Sequence, residues 1–166
     1  VGPAAAEATW EGYRHENAYS VTWEMSQPPR GHVQAHILTR LLAPHNDVAR
    51  KRVTMLYRPI DSARAAGIVE ADMRSAEFRM SATEKPSARD VMAYRAAQAT
   101  ANEEAAGAGL VQFGMLVTAT VEDLDMARDA AATIENLGAA ARLRLRRVYG
   151  SQDSASVSYT HLRAHE

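Results

Sequence analysis

From Ser20 to Met25 apolar and polar residues alternate: Val21, Trp23 and Met25 fall on one side, Ser20, Thr22 and Glu24 on the other. That period of two predicts a half-buried strand, and Pro28 and Pro29 end it. The period then lengthens. Between His32 and Leu42 the apolar residues Val33, Ile37 and Leu41 recur every fourth position, with Leu38 and Leu42 beside them. This predicts a helix with one apolar stripe, closed by Pro44. Alternation returns over Arg52 to Arg58, where Val53, Met55 and Tyr57 oppose Thr54, Leu56 and Arg58, and Pro59 stops the strand. Asp61 or Ser62 can cap a long helix running toward Thr83, with Ala65, Val69, Met73 and Ala76 as its buried stripe. After Pro86, Ser87 can cap a second helix reaching Glu104, which Gly107 and Gly109 end. Two helices about a proline make a helical hairpin over about 61–108.

The strongest alternation runs from Val111 to Val121, with Val111, Phe113, Met115, Val117, Ala119 and Val121 on one face. Asp123 or Asp125 then caps a helix whose stripe is Met126, Ala130, Ile134, Leu137 and Ala141, with Gly138 inside it. Arg142 to Tyr149 reads as the last strand, with Leu143 and Leu145 inward and Arg142, Arg144 and Arg146 outward. Strict alternation would bury Arg147, and a bulge near Arg146-Arg147 would return Val148 to the core. Residues 1–19 form a lead-in, where Pro3 before Ala-Ala-Ala-Glu predicts a short helix.

Without the hairpin, the order is strand-helix-strand twice over. This predicts an α+β fold, a ferredoxin-like split βαβ two-layer sandwich over 20–152 with the helical hairpin inserted between its halves.

Composition narrows the chemistry. The 166 residues carry 19 basic and 20 acidic side chains, so there is no general attraction to nucleic acid or anionic membrane. The absence of cysteine removes disulfides, thiol nucleophiles and thiolate metal sites. No apolar run reaches the roughly 18 residues of a membrane span. His32 and His36 have a zinc-compatible spacing, but no glutamate lies between them and no third ligand is indicated. Gly107, Gly109 and Gly114 precede a strand and lack the lysine of a phosphate loop, and no GxSxG elbow frames a serine. The acidic sets Glu103-Glu104 and Glu122-Asp123-Asp125 sit at element ends as solvated turns. No catalytic, cofactor-binding or metal-binding residue is therefore expected. What remains is a surface: the arginine row Arg142, Arg144 and Arg146, and on the hairpin Arg74, Arg89 and Arg95 among a mixed set of charges.

The last ten residues, VSYTHLRAHE over 157–166, resemble a translated sequencing adapter. The sequence also opens on Val1. Residues 1 to about 155 are accordingly expected to be an internal piece of a longer protein, with 153–166 unstructured.

Several phrases, taken together, resemble a family of actinobacterial integral membrane proteins that accompany conjugation-type ATPases. They are VGPAAAEATWEGYRHENAYSVTWEM at 1–25, RVTMLYRP at 52–59, NEEAAGAG at 102–109, LVTATV at 116–121 and ARLRLRRVYGSQ at 141–152. The resemblance implies a parent with membrane helices near its N-terminus and a cytoplasmic region of which this chain is the C-terminal part. That region is similar in layout to the N-terminal domain of conjugative-transfer ATPases, and no catalytic residue carries over. The resulting expectation is a non-catalytic docking domain at the cytoplasmic face of the cell membrane. Its partners would be the cognate secretion or conjugation ATPase or a second copy of itself, with membrane contact only through the missing N-terminal region. The rival expectations are a small enzyme on the same sandwich, which needs an enclosed polar pocket, and a nucleic-acid module using the arginine row.

Overall fold

A computed structural model of the chain describes residues 5–29 and 33–157. The fold is α+β, with one six-stranded antiparallel sheet and helices. The strands are β1 (Ala6–Ala8), β2 (Tyr13–His15), β3 (Ala18–Gln27), β4 (Arg50–Pro59), β5 (Val111–Val121) and β6 (Arg144–Arg147). The helices are α1 (Thr39–Leu42), α2 (Ser62–Ser81), α3 (Ala88–Ala105), α4 (Ala127–Ala140) and α5 (Gln152–Val157). The sheet runs in the order β1-β2-β3-β5-β4, and β6 also pairs with β3. The chain divides into two compact units, one comprising the described residues up to Leu56 and from Gly114 onward, the other Tyr57–Phe113.

In the first unit, the alternation of β3 and β5 places Val21, Trp23, Met115, Val117, Ala119 and Val121 in one apolar core. Helix α4 adds Ala130, Ala131 and Ile134, and Leu41, Val48, Ala141 and Leu143 complete the cluster. The opposite sheet face carries buried polar side chains instead. Ser20, Thr22, Thr118 and Gln152 are all buried. Thr22 Oγ1 bonds Thr118 Oγ1 at 3.0 Å, and Ser20 Oγ bonds Thr120 Oγ1 at 2.7 Å. These are cross-strand pairs, since Ser20 lies opposite Thr120 and Thr22 opposite Thr118.

One edge of β3 is shared. Its first residues pair with β2 as far as Ser20, and its later ones pair with β6 from Trp23 on. In the gap, the Gln152 side chain imitates a strand. Thr22 N–H donates to Gln152 Oε1 at 2.8 Å, and Gln152 Nε2 donates to the Thr22 carbonyl at 3.3 Å. That carbonyl also accepts from Val148 N–H. Helix α5 is thereby held on the sheet. The expectation that 153–166 is unstructured fails for 153–157, because an amide anchored at Gln152 gives this short helix a tertiary tie. Residues 158–166 lie outside the described residues.

Further expectations need correction. The lead-in is a hairpin of β1 and β2, not a helix. A few alanines cannot repay helix nucleation, whereas β2 finds backbone partners on the edge of β3, and Thr9 closes the turn by bonding Gly12 through both its backbone and its hydroxyl. Pro3 lies outside the described residues. Of the helix predicted over 32–42, whose first residue His32 lies outside the described residues, only the single turn of α1 forms. Upstream, Ile37 and Thr39 donate to carbonyls three residues back, and Leu38 at the N-cap provides no side-chain cap. The stripe still works, since Ile37, Leu38 and Leu41 all pack on the core. Met126 is exposed; Asp123 caps a 3-10 turn, Leu124–Met126, ahead of α4.

The last strand is shorter than expected, and its bulge lies on the partner strand. Met25 pairs with Leu145 and Gln27 with Arg144, so Ser26 is the extra residue. Arg147 therefore keeps its inward alternation and Val148 is half-buried. On β4, Val53 reaches the core as expected, but Met55 does not.

The second unit is the helical hairpin, as its capping residues predict. Asp61 accepts from Ala63 N–H at 3.0 Å, and Ser87 accepts from Asp90 N–H at 3.2 Å. Gly107 ends α3 with φ 94°, a conformation that favours glycine. Ala65, Val69 and Ala76 of α2 are buried.

Two stability predictions follow from the first unit. Gln152→Ala orphans the buried Thr22 N–H, and urea denaturation should register a loss of about 1–3 kcal/mol; an unchanged midpoint would refute the bridging role. A Cβ on Gly138 would stand 2.6 Å from Leu145 Cδ1 and 2.9 Å from its Cγ. Gly138→Ala should thus destabilise by about 1 kcal/mol or more despite the better helix propensity of alanine. In a Leu145→Ala background the same change should be neutral or stabilising.

Candidate functional site

The structure separates the residues that the sequence groups. Arg144 and Arg146 occupy alternate exposed positions of β6 and so share one face. Arg146 is engaged by Glu24, its cross-strand neighbour, with Nε 2.9 Å from Glu24 Oε1 and Nη2 on the same oxygen. Arg142 leaves the row. It sits in the turn before β6 with φ 55°, and it lines an open cleft of about 630 Å³ with Gln34, His36 and Arg40. The predicted row of three is therefore a pair with one charge already met.

On the hairpin, Arg74, Arg89 and Arg95 are exposed. Arg74 Nη1 lies 3.9 Å from Glu70 Oε2 one helical turn earlier, a solvated pair worth a few tenths of a kcal/mol at about the usual size. Among the described residues Arg89 and Arg95 make no ion pair.

The sequence reading missed the use made of Arg147. Its guanidinium carbon lies 5.5 Å from the Trp23 ring centroid and 5.9 Å from that of Tyr149. Arg147 Nη2 and Trp23 Nε1 both reach Glu135 Oε1, at 3.5 and 3.4 Å. Arg147 Nε is buried without a hydrogen-bond partner among the described residues. Tyr149 stacks in turn on Trp10, with centroids 6.3 Å apart. The cluster borders a cleft of about 400 Å³ at the edge of the helix layer, lined also by Glu11, Tyr19 and Arg128. Strict alternation on β6 was the available signal, since it points Arg147 inward. Among the described residues, the cleft joins cations, carboxylates and rings.

Of the spaced histidines, His32 lies outside the described residues and His36 is exposed. Among the described residues no group of three or more metal-ligating side chains gathers. No protein-family model matches the chain, and a search of curated proteins finds no match to it.

The Arg147 cluster is open to test. Arg147→Met keeps the stem over Trp23 and removes the partnerless Nε, so urea denaturation should give a change within about 1 kcal/mol of zero. Arg147→Ala also strips the cover from the indole and should cost more than Arg147→Met; equal and larger losses in both would show that the guanidinium's polar contacts dominate.

Proposed function

We propose that this chain is a non-catalytic docking domain of a membrane-anchored component of an actinobacterial conjugation or secretion-like apparatus. It would work at the cytoplasmic face of the membrane, and its partner would be the cognate motor ATPase. The phrases quoted from 1–25, 52–59 and 141–152 support the family. The membrane anchor would belong to the parent protein, as the resemblance implies; among the described residues no helix is long and apolar enough to cross a membrane.

One observation carries the docking role: the hairpin surface. Helix α3 packs along α2 without burying any residue fully. Close to the turn between them Phe78 is 72% exposed and Met92 53% exposed, and Arg74, Arg79, Arg89 and Arg95 stand free of the hairpin's interior. Exposed aromatic, methionine and arginine side chains are the types enriched at protein interfaces.

The fold reading belongs with this proposal. We take β6-β3-β5-β4 as the order of two interleaved split βαβ halves, with α1 a reduced crossover and α4 the full one. The antiparallel pairing of β3 with both β5 and β6 supports it. The β1-β2 hairpin then extends the free half of β3's edge.

Replacing Arg74, Arg89 and Arg95 with alanine together with Phe78→Ser should weaken capture of the cognate ATPase at least about tenfold, with helicity by circular dichroism unchanged. Undiminished binding would overturn the hairpin as the docking surface. A gene neighbourhood without a motor ATPase would overturn the apparatus.

A further inference from the structure

The polar face of the sheet holds a pocket that the docking role does not use. It measures about 390 Å³ and lies wholly within the first unit. His15, Ser20, Thr118 and Thr120 line it from β2, β3 and β5, and Arg50 and Arg52 line it from β4. Helix α5 bounds one side, where Arg52 Nη2 bonds the Ser156 carbonyl. No carboxylate lines the pocket among the described residues. Two guanidiniums and three hydroxyls therefore line a space with no carboxylate among the described residues. Arg50 has no carboxylate partner among the described residues. Lys51 contributes less, since its ammonium is spent on the Ala43 carbonyl at 2.6 Å and burial holds it below the usual lysine range.

The hydroxyls are wired in a way that fixes what the pocket can recognise. His15 Nε2 lies 2.9 Å from Ser20 Oγ, which lies 2.7 Å from Thr120 Oγ1. If Nε2 carries a proton, it donates to Ser20, Ser20 donates to Thr120, and the Thr120 hydrogen is left over. If Nε2 is bare, the chain runs the other way and Thr120 offers only lone pairs. The Thr22–Thr118 pair likewise makes one bond from two hydroxyl protons and leaves one donor spare. Surplus donors beside guanidiniums suit an oxyanion with several acceptor oxygens, and a tetrahedral dianion suits two guanidiniums better than a carboxylate does. The volume leaves room for a substituent beyond the phosphoryl group.

We propose that this pocket binds a phosphate monoester, with Arg50 and Arg52 on the phosphoryl oxygens, Thr120 donating to them, and His15 held as an Nε2–H donor behind Ser20. The ester is either a free small molecule or the headgroup of a phospholipid.

The test is titration of the whole chain with glycerol 3-phosphate, followed by ¹H–¹⁵N NMR and calorimetry, with glycerol and sodium chloride of equal ionic strength as controls. Saturable binding is expected, with shifts at Thr118 and Thr120 and the His15 ring signals moving to the Nε2–H form. Arg50→Ala changes an exposed strand residue and should bind about tenfold more weakly. Thr120→Val should do the same, and Thr120→Ser should restore binding if the valine variant is poorly folded. Vesicles with and without phosphatidic acid separate the sources. Binding to the former that glycerol 3-phosphate displaces identifies the headgroup, and binding of the ester alone identifies a soluble ligand. A linear response, shifts reproduced by sodium chloride, or unaltered affinity in Arg50→Ala would overturn the proposal.

Discussion

Between Ser20 and Trp23, strand β3 changes partners. It leaves β2, has not yet met β6, and would expose the Thr22 N–H inside the molecule if nothing intervened. An unpaired buried amide costs about 1–3 kcal/mol, so the sheet needs something at this point. Gln152 supplies it from 130 residues further along the chain. The first-unit elements depend on that arrangement. Thr22 is flanked by Val21 and Trp23, which enter the apolar core, while its own side chain turns to the hydroxyl-lined face. The lead-in hairpin, the last strand and α5 are all fastened to the same strand, so the core and the polar pocket share one backbone support.

Much of this was legible in the residues, and the limits are physical. Strands β3, β4 and β5 announce themselves because a sheet with two different faces imposes a period of two. The hairpin helices do so because Asp61 and Ser87 satisfy backbone donors within their own first turns. Features that depend on remote partners are silent. Nothing near Gln152 marks it as an edge substitute, and nothing near Ser26 marks it as the bulged residue. The lead-in misled because alanine content was weighed against no knowledge of the edge it would meet. The arginine row failed in the same way. Alternation gave the right face for Arg144 and Arg146, but a turn at Arg142 cannot be seen from periodicity. Of the candidate sites, the hairpin surface was readable from exposed charge, whereas the relay through His15, Ser20 and Thr120 requires three strands in register.

The charges fall into distinct regimes. Arg146 and Glu24 satisfy each other across strands, and Arg147 is drawn inward over Trp23. Arg50 has no such companion among the described residues, nor do Arg89 and Arg95 of the second unit. Paired arginines stabilise or position. Unpaired ones keep their full capacity for an external anion or acidic surface. That distinction, more than the number of arginines, separates the side chains committed within the fold from those that the proposed docking and anion-binding roles would use.

The two layers of the first unit contribute unequally to its interior. Helix α4 brings Ala130 and Ala131, with Ile134 its one large buried side chain, while the sheet brings Trp23, Met115 and Val117. The helix therefore rides close to the strands, and the bulk that fills the interior comes from below it. Evolutionary drift is constrained in opposite directions on the two sides, since helix positions have no room to grow and sheet positions cannot shrink without leaving voids. Related sequences that stray from this division would have to do so in compensating pairs, one residue enlarging as its opposite number diminishes, and such covariation would mark the interlayer contacts.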